Sequence, residues 1–141
     1  MRKPRVIIFD DEQYILLMLT KFFSRRGYEV LTYNNPTACP IIEMHKNSCD
    51  KEYLCADIII TDFKMPVMNG DEFLKILSQR GCKLDVRNKL MISGVIDEKN
   101  MHKIEEVGCH LIRKPFTLSE LSDWLTEREK HIDLSRPLSI I

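Results

Sequence analysis

Four groups with the right chemistry sit where strands should end. Asp10, Asp11 and Glu12 follow the apolar run Val6–Phe9. Asp62 follows Ile58–Ile60, Ser93 follows Leu90–Ile92, and Lys114 follows Leu111–Ile112. In an open α/β sheet, ligands bind in the crevice past the carboxyl ends of the strands. Three aspartates, a hydroxyl and an ammonium meeting there could hold a divalent cation and receive a phosphoryl group. Like charges so close raise each other's pKa or require a counter-ion. Mg²⁺ is suited to that role, because it uses one or two carboxylates together with waters and phosphate oxygens. A carboxylate oxygen of Asp62 would attack phosphorus in line, while Lys114 and the metal neutralise charge on the transferring oxygens.

Each residue also has an ordinary reading. Asp10 or Asp11 could simply cap a helix. Asp62 and Ser93 could be turn residues, and Lys114 a surface lysine. Lys114-Pro115 adds an X-Pro bond that could be cis and fix a tight turn. The ordinary readings together require four coincidences at one sheet edge.

The elements that must position these groups are written in the apolar pattern. Arg5–Phe9 reads as a strand buried on both faces, Asp57–Thr61 carries a buried-strand signal, and Lys89–Ser93 reads as the fourth strand. Tyr28–Tyr33 and Cys109–Ile112 complete five strands. Helices are expected over Gln13–Arg26, Thr37–Lys46, Asp71–Arg80, Asp97–Val107, and from a Thr117–Glu120 capping box to about Lys130. Gly27, Gly81 and Gly108 supply stops, and Asp97 is an N-cap. Pro40 weakens the second helix, because proline is tolerated only in a first turn. Asn47–Ala56 reads as a long connection. Five alternations of strand and helix imply a parallel sheet covered on both faces.

The chain has 141 residues, 44% apolar and 30% charged, with 21 basic and 21 acidic side chains. That is enough for one domain with a core. No basic block marks a nucleic-acid interface. The five cysteines form no Cys-x-x-Cys pair and read as reduced thiols of a cytoplasmic protein. Only four apolar residues separate the basic start from Asp10, too few for a signal peptide, and no run approaches a membrane span.

The motifs Asp10-Asp11-Glu12, Asp62 with Met65-Pro66 and Gly70, Ser93, and Lys114-Pro115-Phe116 resemble the receiver domains of two-component response regulators, including the chemotaxis regulators. The resemblance covers residues 4–131, leaving 132–141 as a tail. It implies a flavodoxin-like, doubly wound five-stranded parallel sheet, order 2-1-3-4-5, with five helices. It also implies phosphorylation of Asp62 by a sensor histidine kinase or a histidine phosphotransfer protein. Mg²⁺ would be held by Asp11, Asp62 and the Lys64 main-chain carbonyl, with Asp10 acting through a water. Ser93 and Lys114 would contact the phosphoryl group. Output would pass by protein contact, or through an effector domain outside this chain, and a phosphorylation-linked dimer is allowed.

Three departures from the family pattern stand out. Leu111 occupies a position that is often aromatic, Lys64 and Val95 occupy positions that tune phosphoryl lifetime, and the connection 47–56 is enlarged. Leu16, Leu17 and Phe23 exceed the stripe that Ile15, Met18, Leu19 and Phe22 need, which suggests a docking patch on the first helix. Two other classes fit less well. A phosphatase with an aspartyl nucleophile wants an acid at position 64, where Lys64 stands. A phosphorylation-independent interaction module would not need the intact acids, Ser93 and Lys114.

Overall fold

The computed structural model describes residues 1–40, 48–49, 51–94 and 96–141. Strands β1 (Arg5–Phe9), β2 (Glu29–Tyr33), β3 (Ile58–Thr61), β4 (Lys89–Ser93) and β5 (His110–Arg113) alternate with helices α1 (Gln13–Arg25), α2 (Gly70–Gln79), α3 (Glu98–Val107) and α4 (Leu118–Glu129). The strands form one parallel sheet in the order β2-β1-β3-β4-β5. The chain order reverses between β1 and β3, whose register pairs Val6 with Ile58 and Phe9 with Thr61.

The continuous apolar runs are explained by burial on both faces. Val6, Ile8, Ile58, Ile60, Leu90 and Ile92 point to one side. There they meet Ile15, Leu19 and Phe23 of α1 and Leu121 and Leu125 of α4. Ile7, Phe9, Ile59 and Met91, one residue out of phase, meet Phe73, Leu74 and Leu77 of α2 and Ile104 of α3 on the other side. The period of two along each strand therefore fills two separate cores.

Four complete α-helices are described, against the five expected. The expected start at Thr37 is displaced. Pro36–Ala38 forms a short 3-10 turn, with the Asn35 side chain accepting from the Thr37 N–H. Cys39 is extended, as a residue preceding proline tends to be. The rest of the predicted 37–46 helix lies outside the described residues, as does Val95. Other boundaries agree within one residue. Gly108 ends α3 in the left-handed conformation at φ 84°, and both hydrogen bonds of the Thr117–Glu120 capping box are present.

The 132–141 tail does not hang free. Ser139 donates its N–H to the Leu54 carbonyl (2.8 Å) and its hydroxyl to the Tyr53 carbonyl (2.7 Å). Arg5 bridges the carbonyls of Ser139 and Cys55. Arg2 grips both oxygens of buried Asp57 at 2.7 and 2.8 Å. The 51–57 connection, both ends of the chain and the start of β3 are thus joined on the side of the sheet away from the strand C-termini. Among the described residues, no helix is long and apolar enough to cross a membrane.

Candidate functional site

The C-terminal ends of β1, β3 and β5 bring the predicted groups together. Asp10 and Asp62 are buried, while Asp11 is exposed at the mouth. Each of the three offers a carboxylate oxygen within 4.8 Å of the others. The Lys114 ammonium enters from the β5 end. It lies 3.2 Å from Asp10 Oδ2, 3.3 Å from Asp62 Oδ2 and 3.0 Å from Glu12 Oε1. The Lys114-Pro115 peptide is cis. Ser93 ends β4 buried, and its carbonyl accepts from the Lys114 N–H at 2.6 Å, so the two residues are locked backbone to backbone. Lys64 is exposed on the turn after β3.

Asp10 has a second task. Its Oδ1 accepts from the Glu12 N–H at 2.9 Å, holding the turn that opens α1. The capping reading of Asp10 is therefore partly right, and its other oxygen still faces Lys114. Glu12 was named in the sequence motif without a role. Here it is the shortest partner of Lys114, and a hydrogen bond to Tyr14 with that ammonium keeps its carboxyl below the ordinary range.

The turn after β3 fixes Asp62. Its Oδ1 accepts from the Phe63 N–H at 2.7 Å, and its carbonyl accepts from the Thr61 hydroxyl at 2.9 Å. Gly70, at the start of α2, lies so close that an added Cβ would collide with the Asp62 carbonyl oxygen. Its N–H donates to the Phe63 carbonyl at 2.7 Å. Only glycine allows that approach. Between them, Val67 sits at φ 71° with Met68 N–H bonded to the Pro66 carbonyl. This is a γ-turn with a branched side chain in the left-handed region, a strained arrangement.

Electrostatics follow from this crowding. Burial raises the Asp62 pKa to about 6, the Asp10 charge adds to the rise, and Lys114 and the Phe63 N–H oppose it. Burial also raises Asp10, against the Glu12 N–H and Lys114. Burial alone would lower Lys114, but Glu12, Asp62 and Asp10 outweigh it and hold the ammonium charged. One cation does not neutralise this set. The donor chemistry, all hard oxygen in a half-enclosed crevice, fits a divalent ion.

On α1, the expected patch shrinks. Leu16 and Phe23 are core residues at 5% and 0% exposure, whereas Leu17 is 55% exposed beside Tyr14 at 64%. The extra apolar residues serve a broader core contact, and only Leu17 among them reaches solvent. Leu111, at the departure from the family pattern, is half-buried and packs on the α2–α3 side.

Residues 6–126 match the family model described as the response regulator receiver domain. The chain belongs to the response regulator receiver family. It is 28% identical over 130 residues to the chemotaxis protein CheY of Thermotoga maritima, covering 89% of this chain and 98% of that protein. It is 29% identical over 118 residues to the two-component response regulator ORR26 of rice, covering 83% of this chain but 19% of that much longer protein. Among solved structures, the chemotaxis protein CheY4 of Vibrio cholerae superposes with a TM-score of 0.68 at 26% identity, over 89% of this chain and 98% of that one. The receiver's acidic pocket of Asp10, Asp11 and Asp62 is typical of a phosphoacceptor site and suited to a metal ion. The domain is a phosphoacceptor signalling module and not a catalytic enzyme.

Proposed function

We propose that this receiver is a phosphorylation-dependent switch in which Asp62 accepts a phosphoryl group from a histidine of a sensor kinase or phosphotransfer protein. The observation that carries this reading is the buried Asp62 carboxylate with one oxygen held by the Phe63 N–H and the other 3.3 Å from Lys114. The Asp62 oxygen attacks phosphorus. The P–N bond to the donor imidazole breaks, its electron pair stays on the departing nitrogen, and an aspartyl phosphate forms. Lys114 is placed to offset the new negative charge. Ser93 contributes its hydroxyl, and its carbonyl keeps the Lys114 backbone in place. Asp11, Asp62 and the Lys64 carbonyl would hold Mg²⁺, with Asp10 acting through a water. When bound, the ion supplies charge neutralisation for the transferring oxygens.

The switch acts in the cytoplasm, and its output passes by protein contact, including dimerisation or an effector outside this chain. Leu17 and Tyr14, exposed on α1 next to the crevice, are where a phosphodonor protein would rest.

Mass spectrometry after treatment with acetyl phosphate and Mg²⁺ tests the proposal. A single phosphoryl adduct, lost in Asp62→Ala, supports it. No adduct on the folded wild-type protein points to a phosphorylation-independent module.

A further inference from the structure

Two cysteines meet at the C-terminal end of α2, opposite the Gly70 end that abuts Asp62. Gly81, at φ 75°, turns the chain back there. Its N–H donates to the Ser78 carbonyl and the Cys82 N–H to the Leu77 carbonyl, the paired bonds of a Schellman turn. Cys82 is thereby folded over the last turn of the helix. Cys49 arrives at the same place, because its N–H donates to the Arg80 carbonyl at 2.5 Å. The Lys83 ammonium donates to the Lys51 carbonyl. One tie runs from Cys49 to the residue two before Cys82, and the other from Lys51 to the residue just after it. Together they hold the two segments side by side.

Both cysteines line one narrow pocket of about 310 Å³, which Cys55 also lines. Cys82 in addition lines the open cleft between α2 and α3, so a small reagent reaches it from solvent. Cys49 and Cys82 are half-buried. The other three are poorer nucleophiles. Cys39 is 1% exposed, and burial pushes the Cys55 and Cys109 thiols up to about 11. The thiolate is the reacting form, so these stay inert where Cys49 and Cys82 react. The neighbouring Cys49 and Cys82 thiols add to the rise at Cys55, as befits sulfurs gathered around one pocket.

We infer that Cys49 and Cys82 are a redox modification site, which a small-molecule disulfide converts into one intrachain disulfide. The Cys82 thiolate attacks a sulfur of the oxidant. The oxidant's S–S bond breaks, one thiolate leaves with the electron pair, and a mixed disulfide forms. The Cys49 thiolate then attacks the Cys82 sulfur and expels the second thiolate. The protein loses two protons and two electrons, and the oxidant becomes two thiols. A disulfide needs Cα atoms about 4.4–6.8 Å apart, and the existing backbone ties leave little movement to make. In a reducing compartment such a bond is transient and redox-sensing. It would clip the connection leading into β3 to the end of α2, the strand and helix on either side of Asp62. The site needs neither phosphorylation nor a metal.

The test treats the whole folded chain with oxidised glutathione, blocks remaining thiols with an alkylating agent and maps the peptides by mass spectrometry. A Cys49–Cys82 bridge within one chain is expected, reversed by dithiothreitol. The oxidised form should melt roughly 5–10 °C higher than the reduced form. Cys49→Ser should trap glutathione on Cys82 as a stable adduct that the wild type does not retain. Circular dichroism reports the folding of the variant, and the wild-type map decides the matter without it. A stable glutathione adduct on the wild type in place of the bridge overturns the inference. So does a bridge between another pair or between two chains, one that forms no faster in the folded chain than in urea, or an oxidised form that melts lower than the reduced one.

Discussion

Asp62 is held charged against its own preference, and replacing it should stabilise the protein. Its carboxyl titrates at about 6 in the folded chain, against 3.8 for an ordinary aspartate. Each pKa unit corresponds to about 1.4 kcal/mol, so the charge costs about 3 kcal/mol of stability above pH 6. The sign is that of a raised acid. The folded state binds the proton more tightly, so stability falls as pH rises from about 4 to 6 and then levels off. Asn keeps the size and the acceptor for the Phe63 N–H but turns an amide toward Lys114, which gives back part of the gain. The expected net effect of Asp62→Asn at pH 7.5 without metal is about 1–3 kcal/mol of added stability, or roughly 3–9 °C in Tm. Urea unfolding in the presence of EDTA at pH 7.5 and at pH 4 measures it, and the gain should vanish at the lower pH. A variant less stable than wild type at pH 7.5 would show that the Lys114 contact outweighs burial and the Asp10 charge, and the argument would fail.

The same titration should govern metal affinity. Protons compete for Asp62, so Mg²⁺ binding followed by calorimetry should weaken progressively as pH drops below about 6 and hold steady above it. Gly70→Ala should force the start of α2 off the Asp62 carbonyl, with loss of about 1–3 kcal/mol as for other overpacked sites and a sharp drop in acetyl phosphate uptake by the folded fraction. Leu17→Glu, on a side chain 55% exposed, should leave Tm within about 1 °C. It should slow phosphotransfer from a protein donor while uptake from acetyl phosphate is unchanged. Equal slowing of both would remove Leu17 from the docking surface.

The sheet and the crevice were legible because their signals are local or repeat at a fixed period. Ile58–Ile60 and Leu90–Ile92 are apolar at every position, which only burial on two faces requires. Gly108 and Thr117–Glu120 carry their own backbone chemistry. The strand-end acids were legible because topology converts chain position into place. What escaped was long-range and charged. Nothing in the run Asp10-Asp11-Glu12 says that Glu12 lies 3.0 Å from Lys114, because that distance depends on how two loops meet. That Asp71 in the first turn of a helix and Lys89 at the head of a strand are both buried is not written in their local sequence either. The spacing of Leu16 and Phe23 could not tell a wider core contact from an exposed patch, since the angle at which α1 lies on the sheet decides it.

The clasp formed by Arg2, Arg5, Asp57 and Ser139 bears on how the gene should be cut. Ending an expressed fragment at residue 131, where the helix pattern stops, would strip the Tyr53 and Leu54 carbonyls of their donors and leave Arg5 one acceptor short. Such a fragment should melt earlier and precipitate more readily while its acids at positions 10, 11 and 62 stay intact, so a failure to take up phosphate from it would say nothing about those acids.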